Sequence, residues 1–429
     1  MMRTAPQGTD TTPPRRFLAF IESNMTGTGI QALKLARANG YRVAFLTADF
    51  DRYAADLDAI DTIVSQADEV VTCDTQDVHA MEKVLRSLPV PVLGVMTVMD
   101  HFVPLAAATA QRLGLPGLSP QAADKARNKL RTRVACAERG VAVPAFRFVS
   151  SPAEIDAALD VVGLPCVLKP VDESASIGVA LCRTRQEVHD RISLLMISPI
   201  NSRGQRRTPG GLIEECLFGH EVSVETFTYG GQTRVLGVTD KLLGPTPHFI
   251  ELGHTFPSFL PETSRRAVAD LAVAALDAIG FDFGPAHTEV KLTGQGPFLI
   301  EINARSGGDF VPDLVHHATG IALLEESITA HAGGEPDLRP KRKRGAAIRF
   351  LVGRRGVVEA VPDLSILSNF PTVVSSRIKV APGWHTRWPT NSHDRIGYVM
   401  TCAPTAPKAA ADADAALAHL NVTYREAVA

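Results

Sequence analysis

Apolar and polar residues alternate along the first quarter of the chain in two rhythms. Short apolar runs at 17–22, 42–47, 68–73 and 92–95 read as buried strands, and helical spacing between them, as at 29–39 before Gly40, reads as helices. Strands alternating with helices predict a parallel sheet covered on both faces. Residues 1–15, rich in Thr and Pro, are expected to form a disordered tail ahead of it. A helix is predicted over 124–139, closed by Gly140, and another over 152–159. Strands follow at 146–149, 166–169, 179–183, 212–216 and 221–228. The polar, basic, turn-rich segment 197–211 reads as a mobile loop. An amphipathic helix at 264–279 leads to a hairpin over 287–303. The basic run Lys341-Arg342-Lys343-Arg344 reads as a solvated linker. Beyond it come strands at 346–352, 374–380 and 397–402 and a helix at 408–420, an α+β unit. The pattern divides the chain at 16–123, 124–338 and 339–429.

Composition narrows the class. With 429 residues, 45% hydrophobic and 21% charged, the chain suits two or three globular domains. A formal net charge of −2 favours neither nucleic acid nor an acidic membrane surface as a partner. No apolar stretch is long enough to span a bilayer, and the N-terminus lacks the apolar core of a signal peptide. None of the six cysteines forms a C-x-x-C pair. A reducing cytoplasm is the expected location.

The most recognisable motif is Gly27-Thr28-Gly29-Ile30-Gln31-Ala32, with Asp49 at the end of the next strand. This outlines a dinucleotide fingerprint. However, four residues intervene between strand and glycines, and a tight strand-to-helix turn needs glycine for structural reasons alone.

The hairpin carries more chemistry. Strand alternation puts His287, Glu289 and Lys291 on one face, and Glu301, Asn303 and Arg305 on one face of the second arm, with Ile300 and Ile302 opposite. A merely solvated face explains Asn303 poorly, since Asn disfavours strands. Two carboxylates and an amide oxygen are the hard donors that Mg²⁺ takes, with phosphate and water completing its shell. Upstream, a strand ends in Lys169 and leads into Glu173-Ser174-Ala175-Ser176-Ile177-Gly178, where small residues let backbone N–H groups approach phosphate. A third segment, Glu214-Glu215-Cys216-Leu217 with Glu221 beyond Gly219, reads either as a strand with a charged edge or as an adenine-binding hinge.

In this order and at these gaps the three features resemble the ATP-grasp superfamily. Within it they resemble the carboxylate–amine ligases, including the bacterial L-amino acid (dipeptide) ligases. The resemblance covers roughly 124–334 and implies an α/β fold. A Rossmann-like N-terminal domain would precede the ATP-grasp core, within which residues 145–215 or so would form a lid. It implies that Lys129, Lys169 and Lys241 serve the ATP phosphates, and that 173–178 covers them. Glu214, Glu215, Cys216 and Leu217 would meet adenine, and Glu221 the ribose. Glu289, Glu301 and Asn303 would hold Mg²⁺, or Mn²⁺ in its place. Arg305 would steady the transferring phosphoryl group. Glu251 and His254, in Glu251-Leu252-Gly253-His254, would face the substrates, with Gly308 and Asp309 beside them. Asp309 either pairs with a substrate ammonium or caps the next helix, expected near Pro312. The covering loop departs from relatives in having Ser174 and Ala175 where they often carry Gly and Ser, which removes hydroxyl donors.

The implied reaction activates a carboxylate as an acylphosphate and joins it to an amine, releasing ADP and phosphate. Lys169, Arg305, Glu251 and His254 are the catalytic candidates, and small carboxylates and amines the expected partners. A homodimer is compatible with this reading. Two rivals remain: bicarbonate-dependent carboxylation of an amine, and a nicotinamide-dependent oxidoreductase using Gly27 and Gly29. Trp384, His385 and Trp388 either touch substrate or are ordinary exposed or core aromatics.

Overall fold

The computed structural model describes residues 16–24, 27–55, 57–244 and 250–425. The expected tail at 1–15 lies outside these.

The N-terminal unit holds strands β1 (Phe17–Ile21), β2 (Arg42–Thr47), β3 (Glu69–Thr72) and β4 (Val92–Met96). They form a parallel sheet in the order β3-β2-β1-β4. Helices α1 (Thr28–Ala38), α2 (Leu57–Gln66), α3 (Val78–Arg86) and α4 (Val103–Leu113) cover it. Every residue of β1 is buried, because its two faces feed two separate cores.

The helix expected over 124–139 is two helices, α5 (Pro120–Arg127) and α6 (Lys129–Glu138). Asn128 breaks them with φ −99° and ψ 108°, and its Oδ1 accepts from Arg131 N (3.2 Å). Asn competes with the helical backbone in this way and favours caps over interiors. The break places Lys129 in the first turn of α6.

The lid is an antiparallel sheet of β5 (Phe146–Val149), β6 (Cys166–Lys169), β7 (Ala180–Cys182) and β8 (Gly211–Glu215), in the order β5-β8-β6-β7. It packs on α7 (Ile155–Val162) and α8 (Arg185–Met196). Helix α8 was not expected. Its capping box, Thr184 with Glu187, was the readable signal.

The largest sheet begins with β9 (His220–Tyr229), β10 (Gln232–Leu243), β11 (Glu251–Phe256), β12 (Gly284–Thr293) and β13 (Gly296–Asn303). Helix α9 (Glu262–Ile279) backs it, and α10 (Val311–Thr319) and α11 (Leu323–His331) follow the hairpin. The C-terminal segment adds β14 (Gly345–Val352), β15 (Gly356–Ala360), β16 (Val373–Ile378), β17 (His385–Thr386), β18 (Arg395–Ala403), α12 (Ala406–Leu417) and β19 (Thr423–Arg425). Strands β14, β18 and β16 extend the big sheet from β11, giving eight strands in the order β13-β12-β9-β10-β11-β14-β18-β16. Strands β17, β15 and β19 form a small sheet of their own. Trp384 and Trp388, beside β17, are exposed. No helix among the described residues is long and apolar enough to cross a membrane.

Candidate active site

The hairpin of β12 and β13 turns at Gly294-Gln295, and its register pairs His287 with Asn303 and Glu289 with Glu301. A bulge then intervenes: Val290 pairs with Leu299, leaving Ile300 as the extra residue. Plain alternation would put Leu299 and Glu301 on one face. The bulge instead sends Leu299 into the core and Glu301 to the polar face opposite Glu289. It corrects the expected grouping of Ile300 with Ile302, since Leu299 and Ile302 are the core residues. The carbonyl of Ile300 accepts from the Arg133 guanidinium (2.6 Å), so the bulged residue's acceptor is satisfied.

Strand β9 pairs on the other side of β12, setting Glu225 opposite His287, Ser223 opposite Glu289, and Glu221 opposite Lys291. One polar face results, while Val222, Val224 and Val290 turn toward α9. Its charges are matched closely. Lys241 Nζ, on β10, lies 2.7 Å from Glu221 and 3.0 Å from Glu289. Lys291 reaches the other oxygen of Glu221 at 2.8 Å, and Lys129 reaches Glu301 at 2.8 Å. Burial works against charge on Glu289, but Lys241 and His287 hold its carboxyl well below the usual range. Burial likewise opposes Lys241, and Glu221 and Glu289 override it, raising the ammonium above its ordinary value. His287 is pushed up to about 9: burial lowers it, and the Glu225 carboxylate 3.0 Å from Nδ1 more than offsets that.

The donors suit a hard divalent cation. Glu289 and Glu301 face each other across the register, and the Asn303 side chain donates from its Nδ2 to the His287 carbonyl (3.5 Å). Among the described residues, no group of three or more His, Cys, Asp or Glu could hold a metal alone. Two carboxylates and an amide oxygen would therefore need phosphate and water to complete a coordination shell.

Lys169 ends β6 with its ammonium 2.6 Å from Glu214, which also pairs with Arg133 Nε at 2.7 Å. All three are buried. Burial opposes ionisation of Glu214, and the two cations keep its carboxyl below the ordinary range. Its carboxylate thus positions Lys169 rather than pointing to a base. Arg133 was missed by sequence reasoning, although it lies one helical turn beyond Lys129 on α6. Glu215 pairs through its backbone N with the Ala145 carbonyl (2.9 Å) and its carboxylate accepts from Ala145 N (3.3 Å). Cys216 and Leu217 lie in the connection from β8 to β9.

The covering loop is anchored at its start and open at its tip. Lys129 Nζ donates to the Glu173 carbonyl (2.7 Å), and Arg127 donates to the carbonyls of Asp172 and Glu173. The Glu173 carboxylate accepts from Ser202 N and Oγ, both at 2.9 Å, which seats the 197–211 loop. Burial opposes its charge, but His101 and Ser202 bring it to about 2. Ser174 Oγ meets His101 Nδ1 at 3.4 Å. Ala175 and Ser176 adopt φ of +54° and +58°, ahead of Gly178 at +76°. Such left-handed non-glycine residues store strain that clusters at functional sites.

Glu251 and His254 sit on a strand, β11, where His254 opposes Lys241. His254 is buried; its Nε2 lies 3.4 Å from Asp309, and no partner is recorded for its Nδ1. Asp309 (φ +53°) is gripped by Arg395 on both oxygens, at 2.6 and 2.5 Å. It does not cap α10, whose N-cap is Phe310. Gly308 accepts from Val311 N at 2.9 Å. Arg395 also donates to the carbonyls of Ser392 and Glu251, and Ser392 Oγ donates to the Glu251 carboxylate. Arg305 pairs with Asp100 at 2.5 Å. Sequence reasoning missed Arg395, Ser392 and Asp100, which come from distant segments and carry no local motif.

The glycine motif has a local explanation. A Cβ on Gly29 would lie 2.1 Å from Ser23 Oγ and 2.3 Å from Asn24 Oδ1, and Gly29 N donates to that Oδ1 (2.9 Å). The turn's own packing requires glycine there.

Family models fit these segments in turn. The ATP-grasp N-terminal domain matches residues 33–117, the ATP-grasp domain 162–313, and the L-amino acid ligase C-terminal domain 2 matches 349–425. The protein y4rH of Sinorhizobium fredii, itself uncharacterised, is 30% identical over 82% of this chain and 73% of its own length. Human carnosine synthase 1 is 27% identical over 72% of this chain. The alanine–anticapsin ligase of Bacillus subtilis is 27% identical over 66% of it. The matches span only 39% and 63% of those two proteins. In fold, the chain is similar to the crystal structure of an L-amino acid ligase from Bacillus licheniformis (TM-score 0.79, 24% identity, 97% and 100% coverage of the two chains). It is also similar to N5-carboxyaminoimidazole ribonucleotide synthetase from Thermotoga maritima (TM-score 0.69, 15% identity, 96% and 100% coverage).

The chain belongs to the ATP-grasp superfamily of ATP-dependent carboxylate–amine ligases, and its relatives include amino acid and dipeptide ligases.

Proposed function

We propose that this protein joins the carboxylate of one amino acid to the amine of another, at the expense of ATP. The observation that carries this reading is the single polar face on which Glu289, Glu301 and Asn303 meet Lys129 and Lys241, with Glu251 and His254 on the neighbouring strand. The candidate metal donors, Lys241 and the substrate-facing candidates thus share one continuous sheet, which Lys129 meets from α6.

A carboxylate is a poor electrophile and must be activated. Its oxygen attacks the γ-phosphorus of ATP, the bond to the bridging oxygen breaks, and ADP leaves with an acylphosphate in place. Lys129 and Lys169 hold phosphate oxygens as point charges. Glu289, Glu301 and Asn303 would hold a divalent cation, which when bound would neutralise charge on phosphate oxygens. The second amino acid's nitrogen then attacks the acyl carbon, the amide bond forms, and inorganic phosphate departs. Arg305 steadies the oxyanion of that tetrahedral intermediate. The attacking ammonium must first lose a proton. Arg395 occupies both oxygens of Asp309, which leaves Glu251 and His254 as the candidates to accept it. Closure of 173–178 keeps water from the acylphosphate.

The test is a matrix of amino acid pairs incubated with ATP and Mg²⁺, followed by phosphate release and product mass. Dipeptide masses appearing with stoichiometric phosphate support the reading. Phosphate release that requires bicarbonate instead of a second amino acid assigns carboxylation and sinks it.

A further inference from the structure

Just after β4, Asp100 and His101 sit in a short 3-10 turn, and their side chains go in two directions. Asp100 reaches into the hairpin, 2.5 Å from the Arg305 guanidinium, whose other terminal nitrogen donates to the Ser306 carbonyl (2.7 Å). It lines a small cleft together with Arg127, Glu301 and Asn303, so it stands beside the candidate metal donors. His101, fully packed, faces the lid. Its Nε2 lies 3.4 Å from Glu173 and 3.5 Å from Ser202 Oγ, its Nδ1 is 3.4 Å from Ser174, and its carbonyl accepts from Gln205 Nε2 (2.9 Å). Two consecutive residues of the N-terminal unit thus touch the proposed catalytic arginine and both loops expected to cover the phosphates.

We propose that this turn is a two-sided positioning element. Asp100 aims Arg305 at the transferring phosphoryl group, and His101 seats the 197–211 loop through Glu173 and Ser202. The proposal rests on the ligase reading for the role of Arg305. The physical argument is geometric. An arginine has a long flexible stem, and its planar fork serves a transition state only if something fixes its plane. The Ser306 carbonyl fixes one nitrogen, and the Asp100 carboxylate fixes the other. The N-terminal unit is therefore part of the reaction centre, and loop seating and arginine aim refer to one rigid point.

The experiment compares the whole protein with Asp100→Asn, Asp100→Glu and His101→Phe. Calorimetry measures binding of Mg²⁺–ADP, alone and with aluminium fluoride as a phosphoryl mimic. In Asp100→Asn, affinity for the fluoride complex is expected to drop at least tenfold, with ADP alone within twofold, a split that general loosening does not produce. Asp100→Glu keeps the charge but shifts it by one methylene, and should lose about threefold. Equal fluoride-complex affinity in either Asp100 variant and the parent overturns the arginine half, and the Glu variant decides it where Asn fails to fold. Trypsin cuts after Arg203, Arg206 and Arg207 report the loop half. His101→Phe should speed cutting there at least fivefold, and an unchanged rate overturns that half. A parent that binds no ADP overturns the ligase reading and this proposal with it. A parent that binds ADP beside an indifferent Asp100→Asn overturns the arginine half and leaves the ligase reading standing.

Discussion

The two ends of the big sheet's polar face hold buried charge in different ways. At the β9–β12–β13 end, acids are matched by lysines: Lys241 is shared between Glu221 and Glu289, and Lys129 takes one oxygen of Glu301. At the β11–β18 end, Asp309 has both oxygens in the fork of Arg395, whose guanidinium lies 3.8 Å over the Phe350 ring. A lysine is a point charge on a mobile stem, so a phosphate or cation can take its place beside a carboxylate. A bidentate arginine stacked on an aromatic ring is fixed. In the proposed reading, one end is built to exchange partners, and the other to keep its shape around a substrate.

The largest expected effect breaks the exchangeable end. Glu301→Gln keeps the shape but removes a charge that the phosphate site needs. ADP formation should fall roughly 1000-fold, equivalent to about 4 kcal/mol of barrier. Steady-state ADP release checks this, with a melting curve to confirm that the fold persists. A loss under tenfold would take Glu301 out of the reaction.

The fixed end should fail through stability instead. Arg395→Met leaves the half-buried Asp309 with the 3.4 Å contact to His254 alone, and should cost about 1–3 kcal/mol, less than the loss of a partner in a fully buried pair. Adding Asp309→Asn, which tolerates the left-handed backbone at this position, removes the stranded charge and should recover most of the loss in urea titrations. If the single variant melts like the parent, the pair is not the clamp described above.

How far the sequence foretold each end follows from where the information lay. The exchangeable end was legible because its donors sit two residues apart on one hairpin, in a rhythm strand geometry turns into a shared face. What strand geometry did not foretell was the bulge at Ile300, because nothing in Leu299-Ile300-Glu301-Ile302 marks which residue is extra. The fixed end was half legible. Glu251, His254 and Asp309 were singled out, but their partners Arg395 and Ser392 lie more than eighty positions downstream of Asp309. Ion pairs between distant segments have no spacing to read. The N-terminal sheet was foreseen closely because strands buried on both faces are continuous apolar runs. The break at Asn128 was overlooked because helical periodicity continues across it.

The same contrast between matched and unmatched charge separates the buried His287 from the half-buried His331. Glu225 holds His287 up, whereas His331 has only apolar packing against Phe283 and a hydrogen bond to the Ser327 carbonyl. Burial pushes His331 down to about 4, against 6.5 for an unfolded histidine. Between these values the unfolded chain holds a proton that the folded chain lacks. The His331 contribution is thus complete above pH 6.5 and is lost as pH falls toward 4. The loss is about 3 kcal/mol over that window, at about 1.4 kcal/mol per unit. Chemical denaturation at pH 7 and pH 4.5 should show a smaller drop for His331→Gln than for the parent. An identical drop in both would place the acid sensitivity elsewhere.

The smallest effect concerns how the exchangeable end is held in place. Lys129 reaches Glu301 and the proposed phosphate site because α6 begins at it, and α6 begins there because Asn128 caps it. The Lys129 backbone N also donates to the Val171 carbonyl (3.0 Å), tying the helix start to the strand that carries Lys169. Removing the cap with Asn128→Ala should cost about 1 kcal/mol of stability, the usual value for a lost N-cap. Ala also favours the continuous helix that periodicity suggests, which would rotate Lys129 away from Glu301. The apparent KM for ATP should therefore rise several-fold more than the stability loss alone predicts, with the amino acid KM unchanged. Asn128→Asp, which retains an acceptor for the Arg131 amide, should restore both. If Ala and Asp behave alike, the break at 128 is held by packing on the lid, and the cap is incidental to where Lys129 points.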